Sequence, residues 1–125
     1  DYTAQMVDQF PYYDPANLKV PYMLLLADLS YCTAEKRSWE FYDGIVGQDT
    51  YAAEFHNLEH GHFSFSLIYN PDAAAKKSFE IALLYIHHFL KAYLYDDAKA
   101  KEWLAKTPEE IGFPTDLYKY KNKMN

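Results

Sequence analysis

Val20-Pro21-Tyr22-Met23-Leu24-Leu25-Leu26-Ala27 is the stretch on which the fold turns. It is apolar without polar alternation, and a strand of that kind is covered on both faces, as in parallel sheets. Pro21 falls among its first residues, where a missing N–H costs least. Parallel neighbours need a crossover, and the following residues predict one. Thr33 caps a helix running to about Val46, with Glu35 in the first turn, Trp39, Tyr42 and Ile45 repeating on one face, and Gly47 as the stop signal. Thr50 to Leu58 then reads as a second strand, although Ala52, Glu54, His56 and Leu58 alternate with Tyr51, Ala53, Phe55 and Asn57 without a clean apolar face.

Outward from this core, residues 1–19 carry Pro11 and Pro15 and predict an extended lead-in. Downstream, Asn70-Pro71-Asp72 supplies a cap, a proline at the first helical position and an acid in the first turn of a long helix reaching about Tyr95. Between Phe79 and Leu94 that helix is apolar on more than one side, so it needs a broad surface such as a sheet face. Asp96-Asp97 breaks it and starts a shorter helix, Ala98 to Lys106, followed by a single turn at Thr107-Pro108-Glu109-Glu110. Residues 117–125, with Lys119, Lys121 and Lys123 between tyrosines, read as a loose tail. The expected class is therefore α/β, one segment over 1–125 in the order strand, helix, strand, long helix, short helix. Two strands make a marginal sheet, and exposed edges invite dimerisation or strand exchange, so a homo-oligomer is one expected state.

Composition narrows the partners. The 125 residues hold 12 basic and 18 acidic side chains, a formal charge of -6, and such a surface repels phosphate backbones, so nucleic acid is not expected. An apolar run such as Ile81–Ile86 is far short of the roughly 20 residues that span a bilayer. The single cysteine, Cys32, cannot close an intrachain disulfide. A first residue of Asp1 rather than methionine reads as a processed or excised chain, which leaves localisation unknown.

Titratable groups concentrate at Glu54, His56, Glu59, His60 and His62, three of the five histidines falling within seven residues. Such a loop can be merely solvated, and two chemical readings stand beside that one. His56-Asn57-Leu58-Glu59-His60 matches H-x-x-E-H, in which two histidines on one helical face bind zinc and the glutamate acts as base. That motif requires a helix, yet Gly61 stops the segment, and no downstream ligand stands out among Glu80, Glu102, Glu109 and Glu110. The other reading is a catalytic histidine on the loop after a strand. Trp39 and Trp103 read as packing groups, and His87 and His88 as residues on two faces of one helix.

Three pieces, Lys19-Val20-Pro21-Tyr22-Met23-Leu24-Leu25-Leu26, Arg37-Ser38-Trp39-Glu40-Phe41-Tyr42-Asp43 and Leu58-Glu59-His60-Gly61-His62-Phe63-Ser64, together resemble the last third of an α/β-hydrolase related to dienelactone hydrolases and acyl esterases. The segment ending Phe89-Leu90-Lys91-Ala92-Tyr93-Leu94 resembles that family's closing helix, and the likeness runs from about Asp14 to Leu104. The resemblance implies the final two parallel strands of a larger sheet and hydrolysis of a small-molecule ester or amide through an acyl-serine, with no cofactor. It makes His60 the general base, with His62 as runner-up, and Asp28 the orienting acid, although the usual acid position aligns with Ser30. No Ser lies in a G-x-S-x-G elbow, so the chain reads as a C-terminal segment whose nucleophile precedes it, with negligible turnover by itself.

Overall fold

The computed structural model describes residues 14–27, 34–63 and 72–125, with the side chains of 34–37 and 60 outside the description. Three strands form one sheet in the order β1 (Tyr22–Ala27), β2 (Thr50–Phe55), β3 (Tyr118–Lys123). β1 and β2 run parallel, from Tyr22↔Thr50 to Ala27↔Phe55, and α1 (Ala34–Gly44) makes the crossover. The apolar run has the cause read from it: Leu24 and Leu26 pack under Tyr42 and Trp39 of α1, while Met23, Leu25 and Ala27 join the core on the opposite face.

On that opposite face lies α2 (Ala73–Leu94), the long helix, followed by α3 (Ala98–Leu104) and the single turn α4 (Pro108–Ile111). Ile81, Ala82 and Tyr85 of α2 cluster with Tyr51, Ala53 and Phe55 of β2, which explains the unclean alternation of that strand. All six β2 residues are buried because the strand has a helix on each face and a strand on each edge. Trp103 of α3 packs edge-on against Tyr85 and stacks on His88 with ring centroids 4.0 Å apart. Burial, with the charges of His87 and Lys91, holds the His88 pKa below its ordinary value, while His87 stays exposed. No helix among the described residues is long and apolar enough to cross a membrane.

Helix boundaries follow local chemistry. Asp72, rather than Asn70, is the N-cap of α2 and accepts from the Ala75 N–H at 2.7 Å; Asn70 and Pro71 lie outside the described residues, as does Thr33. Asp97 caps α3, and Thr107 and Glu110 form a reciprocal capping box on α4. Within the lead-in, Asp14 caps a short 3-10 turn at Pro15–Asn17. That turn presses on the end of α1, where a Cβ on Gly44 would stand 2.5 Å from Pro15 Cγ.

The expected tail is the main correction. Tyr118–Lys123 is a third strand, antiparallel to β2 from Phe55↔Tyr118 to Thr50↔Lys123. Its residues alternate strictly, so Tyr118 and Tyr120 enter the core beneath α2 and the three lysines share the α1 face. There Lys119 and Lys121 lie 4.9 and 5.0 Å from the Trp39 ring, and Lys123 lies 4.5 Å from the Tyr42 ring. The Lys123 Nζ also donates to the carbonyls of Tyr42, Asp43 and Ile45 at 2.6, 3.3 and 2.9 Å, neutralising the negative end of α1. Exchanging Lys123 for Met keeps the stem and removes those donors. Lys123→Met should lower unfolding free energy by about 1–2 kcal/mol in urea titrations, and an unchanged midpoint would show the contact to be idle.

Candidate functional site

Parallel strands end at a common edge, and Ala27↔Phe55 closes the β1/β2 ladder. The segments beginning at residues 28 and 56 therefore leave adjacent strands on the same side of the sheet. Asp28, Ser30 and Cys32 lie outside the described residues. After β2 the chain turns at His56 and Asn57, drops Leu58 into the core and winds a 3-10 turn over His60–Phe63. Leu58 is fully buried and ties this loop to the sheet. His60 sits at the start of the turn by its backbone, and its side chain is outside the description.

His62 is held differently from a general base. Its Nδ1 accepts the Glu59 backbone N–H at 2.8 Å, and the His62 backbone N–H donates to the Glu59 carbonyl at 2.9 Å. An Nδ1 that accepts an N–H carries no proton, so the neutral ring bears its proton on Nε2. A triad histidine needs the reverse, with Nδ1–H directed at the acid and Nε2 free to take a proton. His62 is thus a brace of the turn.

Among the described side chains, the titratable cluster of the sequence does not converge in space as one group. Glu54 points to the α1 face, where its carboxylate accepts the Trp39 indole N–H at 2.6 Å, with Lys119 its cross-strand partner. His56 and Glu59 are exposed. Because the chain between His56 and His60 is a turn rather than a helix, H-x-x-E-H lacks the one-faced frame that a zinc pair needs. Among the described residues no group of three or more His, Cys, Asp or Glu is arranged to hold a metal ion. Beside the loop, a cleft of about 330 Å³ opens between His56, Thr107, Glu109, Tyr118 and Tyr120, on the edge where β2 ends and β3 begins.

A second polar centre, absent from the sequence reading, occupies the other end of β2. Asp49 is 8 % exposed; its Oδ2 accepts from Tyr93 at 2.7 Å and from the Lys101 Nζ at 2.6 Å, and its Oδ1 accepts the Asn125 N–H at 2.8 Å. Tyr93 spends its proton on the carboxylate, so Tyr51 donates to Tyr93, 2.7 Å away. Burial pulls the Asp49 carboxyl upward, but the Lys101, Asn125 and Tyr93 donors outweigh it and leave the pKa below its usual value. Burial, then the bonds to Tyr51 and Asp49, push Tyr93 upward, and the bond to Asp49 raises Lys101. The partners of Asp49 stand 44, 52 and 76 positions away in the chain, which is why no local pattern marks them.

Compared with family models, curated proteins and solved structures, the chain matches none.

Asp49 joins the strand start, both helices and the chain end, so its role is mechanical. A carboxyl with a depressed native pKa stabilises the fold above its unfolded value near about pH 4 and loses that contribution as pH falls through the native value. Asp49→Asn should cost about 1–3 kcal/mol at pH 7, and urea titrations repeated toward pH 3 should show the gap to wild type closing.

Proposed function

We propose that the chain is the base-and-acid portion of a serine hydrolase of the α/β-hydrolase kind, acting on a small-molecule ester or amide. The observation that carries this reading is the Ala27↔Phe55 pair: the loop opening at Asp28 and the loop bearing His60 leave neighbouring parallel strands at one edge of the sheet. A histidine and the acid that orients it must come from loops so related, since each side chain reaches only a few ångströms. The reverse hydrogen bonding of His62 further favours His60 as the base. In this scheme α2 is the closing helix, and β1 and β2 are the last parallel strands of a larger sheet.

The chemistry follows from those roles. Asp28 accepts the His60 Nδ1–H and stabilises the imidazolium. His60 takes the proton of a serine hydroxyl as that oxygen attacks the acyl carbon, then returns it to the departing alcohol or amine. A second cycle with water, again deprotonated by His60, releases the acid. The serine belongs to a G-x-S-x-G elbow, which these 125 residues do not contain.

The test uses the complete protein expressed from its whole reading frame, assayed with p-nitrophenyl acetate and a fluorophosphonate probe. His60→Ala should lower kcat at least about 10³-fold and Asp28→Asn about 10⁴-fold. His62→Ala should leave the rate within a few-fold at matched folded fraction. Ester turnover that survives His60→Ala intact would refute the assignment.

A further inference from the structure

The loop that carries His60 leaves β2 against β3. The strand register ends at Phe55↔Tyr118, yet pairing runs one residue further, because the His56 N–H donates to the Leu117 carbonyl at 2.9 Å. Among the described residues, that is the backbone hydrogen bond by which residues 56–63 are joined to another part of the chain. Directly before it, the Tyr118 ring stacks on Phe55, with centroids 5.3 Å apart and planes 18° from parallel. The Tyr118 hydroxyl pairs with that of Tyr85 on α2 at 3.1 Å, inside the core. Phe55 and Tyr118 are both buried, so the last strand residue before the loop is held by its neighbour strand and, through that strand, by the long helix.

Two further anchors lie within the loop. Leu58 is buried in the core, and the turn after it closes on itself through the two bonds between Glu59 and His62. Between β2 and Leu58 stand only His56, which is exposed, and Asn57, which is half-buried. The direction in which the chain leaves the sheet is therefore set by the ladder end at His56 and the ring stack beneath it. Freed at that point, the segment would pivot about Leu58, and His60 stands two residues beyond.

We infer that Tyr118 is a positioning residue for His60, and that Leu117 and Tyr118 of β3 hold the histidine loop in the place that proton transfer requires. The inference rests on the reading of His60 as general base. Such a base must stand within hydrogen-bond reach of the proton it takes, and a displacement of about 1 Å costs on the order of 10²-fold in rate. Tyr118 is 2 % exposed, so it acts through the loop rather than on substrate. It belongs to residues 117–125, which read in the sequence as a loose tail and which lie beyond Leu104, where the hydrolase resemblance ends.

The test follows the complete protein with p-nitrophenyl acetate and with hydrogen exchange of the bonded His56, Glu59 and His62 amides, read by mass spectrometry of short peptides. Tyr118→Ala should lower kcat about 10–100-fold with KM within a few-fold. In the same variant the loop amides should exchange at least about 10-fold faster, while the Ser38–Tyr42 amides of α1 keep their protection. Tyr118→Phe, which keeps the ring on Phe55, should restore kcat to within a few-fold of wild type. Ile45→Ala empties a buried site at the opposite end of the sheet, beside Lys123, and should leave kcat unchanged at matched folded fraction. Should Tyr118→Ala fail to fold, Tyr118→Leu, which fills the site without an aromatic stack, carries the same comparison. An unchanged kcat or unchanged loop exchange in the Tyr118 variant would overturn the inference, as would an equal fall of kcat in Ile45→Ala. A wild-type protein with neither ester turnover nor fluorophosphonate labelling would count against the hydrolase reading, and loop exchange alone would then decide whether Tyr118 holds the loop.

Discussion

Every packed layer of this molecule is built on β2. Its six residues are buried on both faces, and its backbone groups are satisfied on both edges, by β1 in parallel and by β3 in antiparallel sense. A strand so enclosed can hold polar side chains only where partners are ready for them. Tyr51 and Glu54 meet that requirement in different ways. Tyr51 enters the hydroxyl chain to Tyr93 and Asp49, and Glu54 takes the Trp39 indole N–H. The two faces thereby acquire different character, largely aromatic under α2, mixed and cation-rich under α1.

Closure of the sheet by β3 follows from that difference. Its tyrosines find aromatic neighbours under α2, with Tyr118 stacked on Phe55 and Tyr120 4.6 Å from Tyr85. Its lysines find the rings of Trp39 and Tyr42 and the carbonyl end of α1. Each alternate residue is thus served by the face it meets, and Asn125 fastens the end of the chain to Asp49. The same lysines shield the β3 edge, while among the described residues no strand pairs with the outer edge of the apolar β1.

The loop after β2 shows how far residue types can be read without coordinates. Three histidines in seven residues marked the segment, and its position after a parallel strand was legible from the apolar run and the helical stripe that precede it. That the Nδ1 of His62 is taken by a backbone N–H was not legible, because the contact depends on how the turn closes on Glu59. The H-x-x-E-H letters are ambiguous for a related reason: on a helix they share a face, and here the described backbone between them is a turn. Asp49 left no trace at all, since its partners are assembled by the packing of α2 and α3 against the strand start.

Local patterns therefore determined the strand, helix, strand order, the long helix and the capping box at Thr107, because each depends on residues within a turn or two of one another. Side-chain period and capping chemistry act over that range and carry their meaning in the sequence. Tertiary structure decided that Tyr118–Lys123 is a strand, that Glu54 leaves the histidine loop for Trp39, and that Asp49 becomes a hub. In isolation three lysines between tyrosines are a solvated tail; only the rings and carbonyls of a helix some 80 residues earlier give their stems and charges somewhere to go.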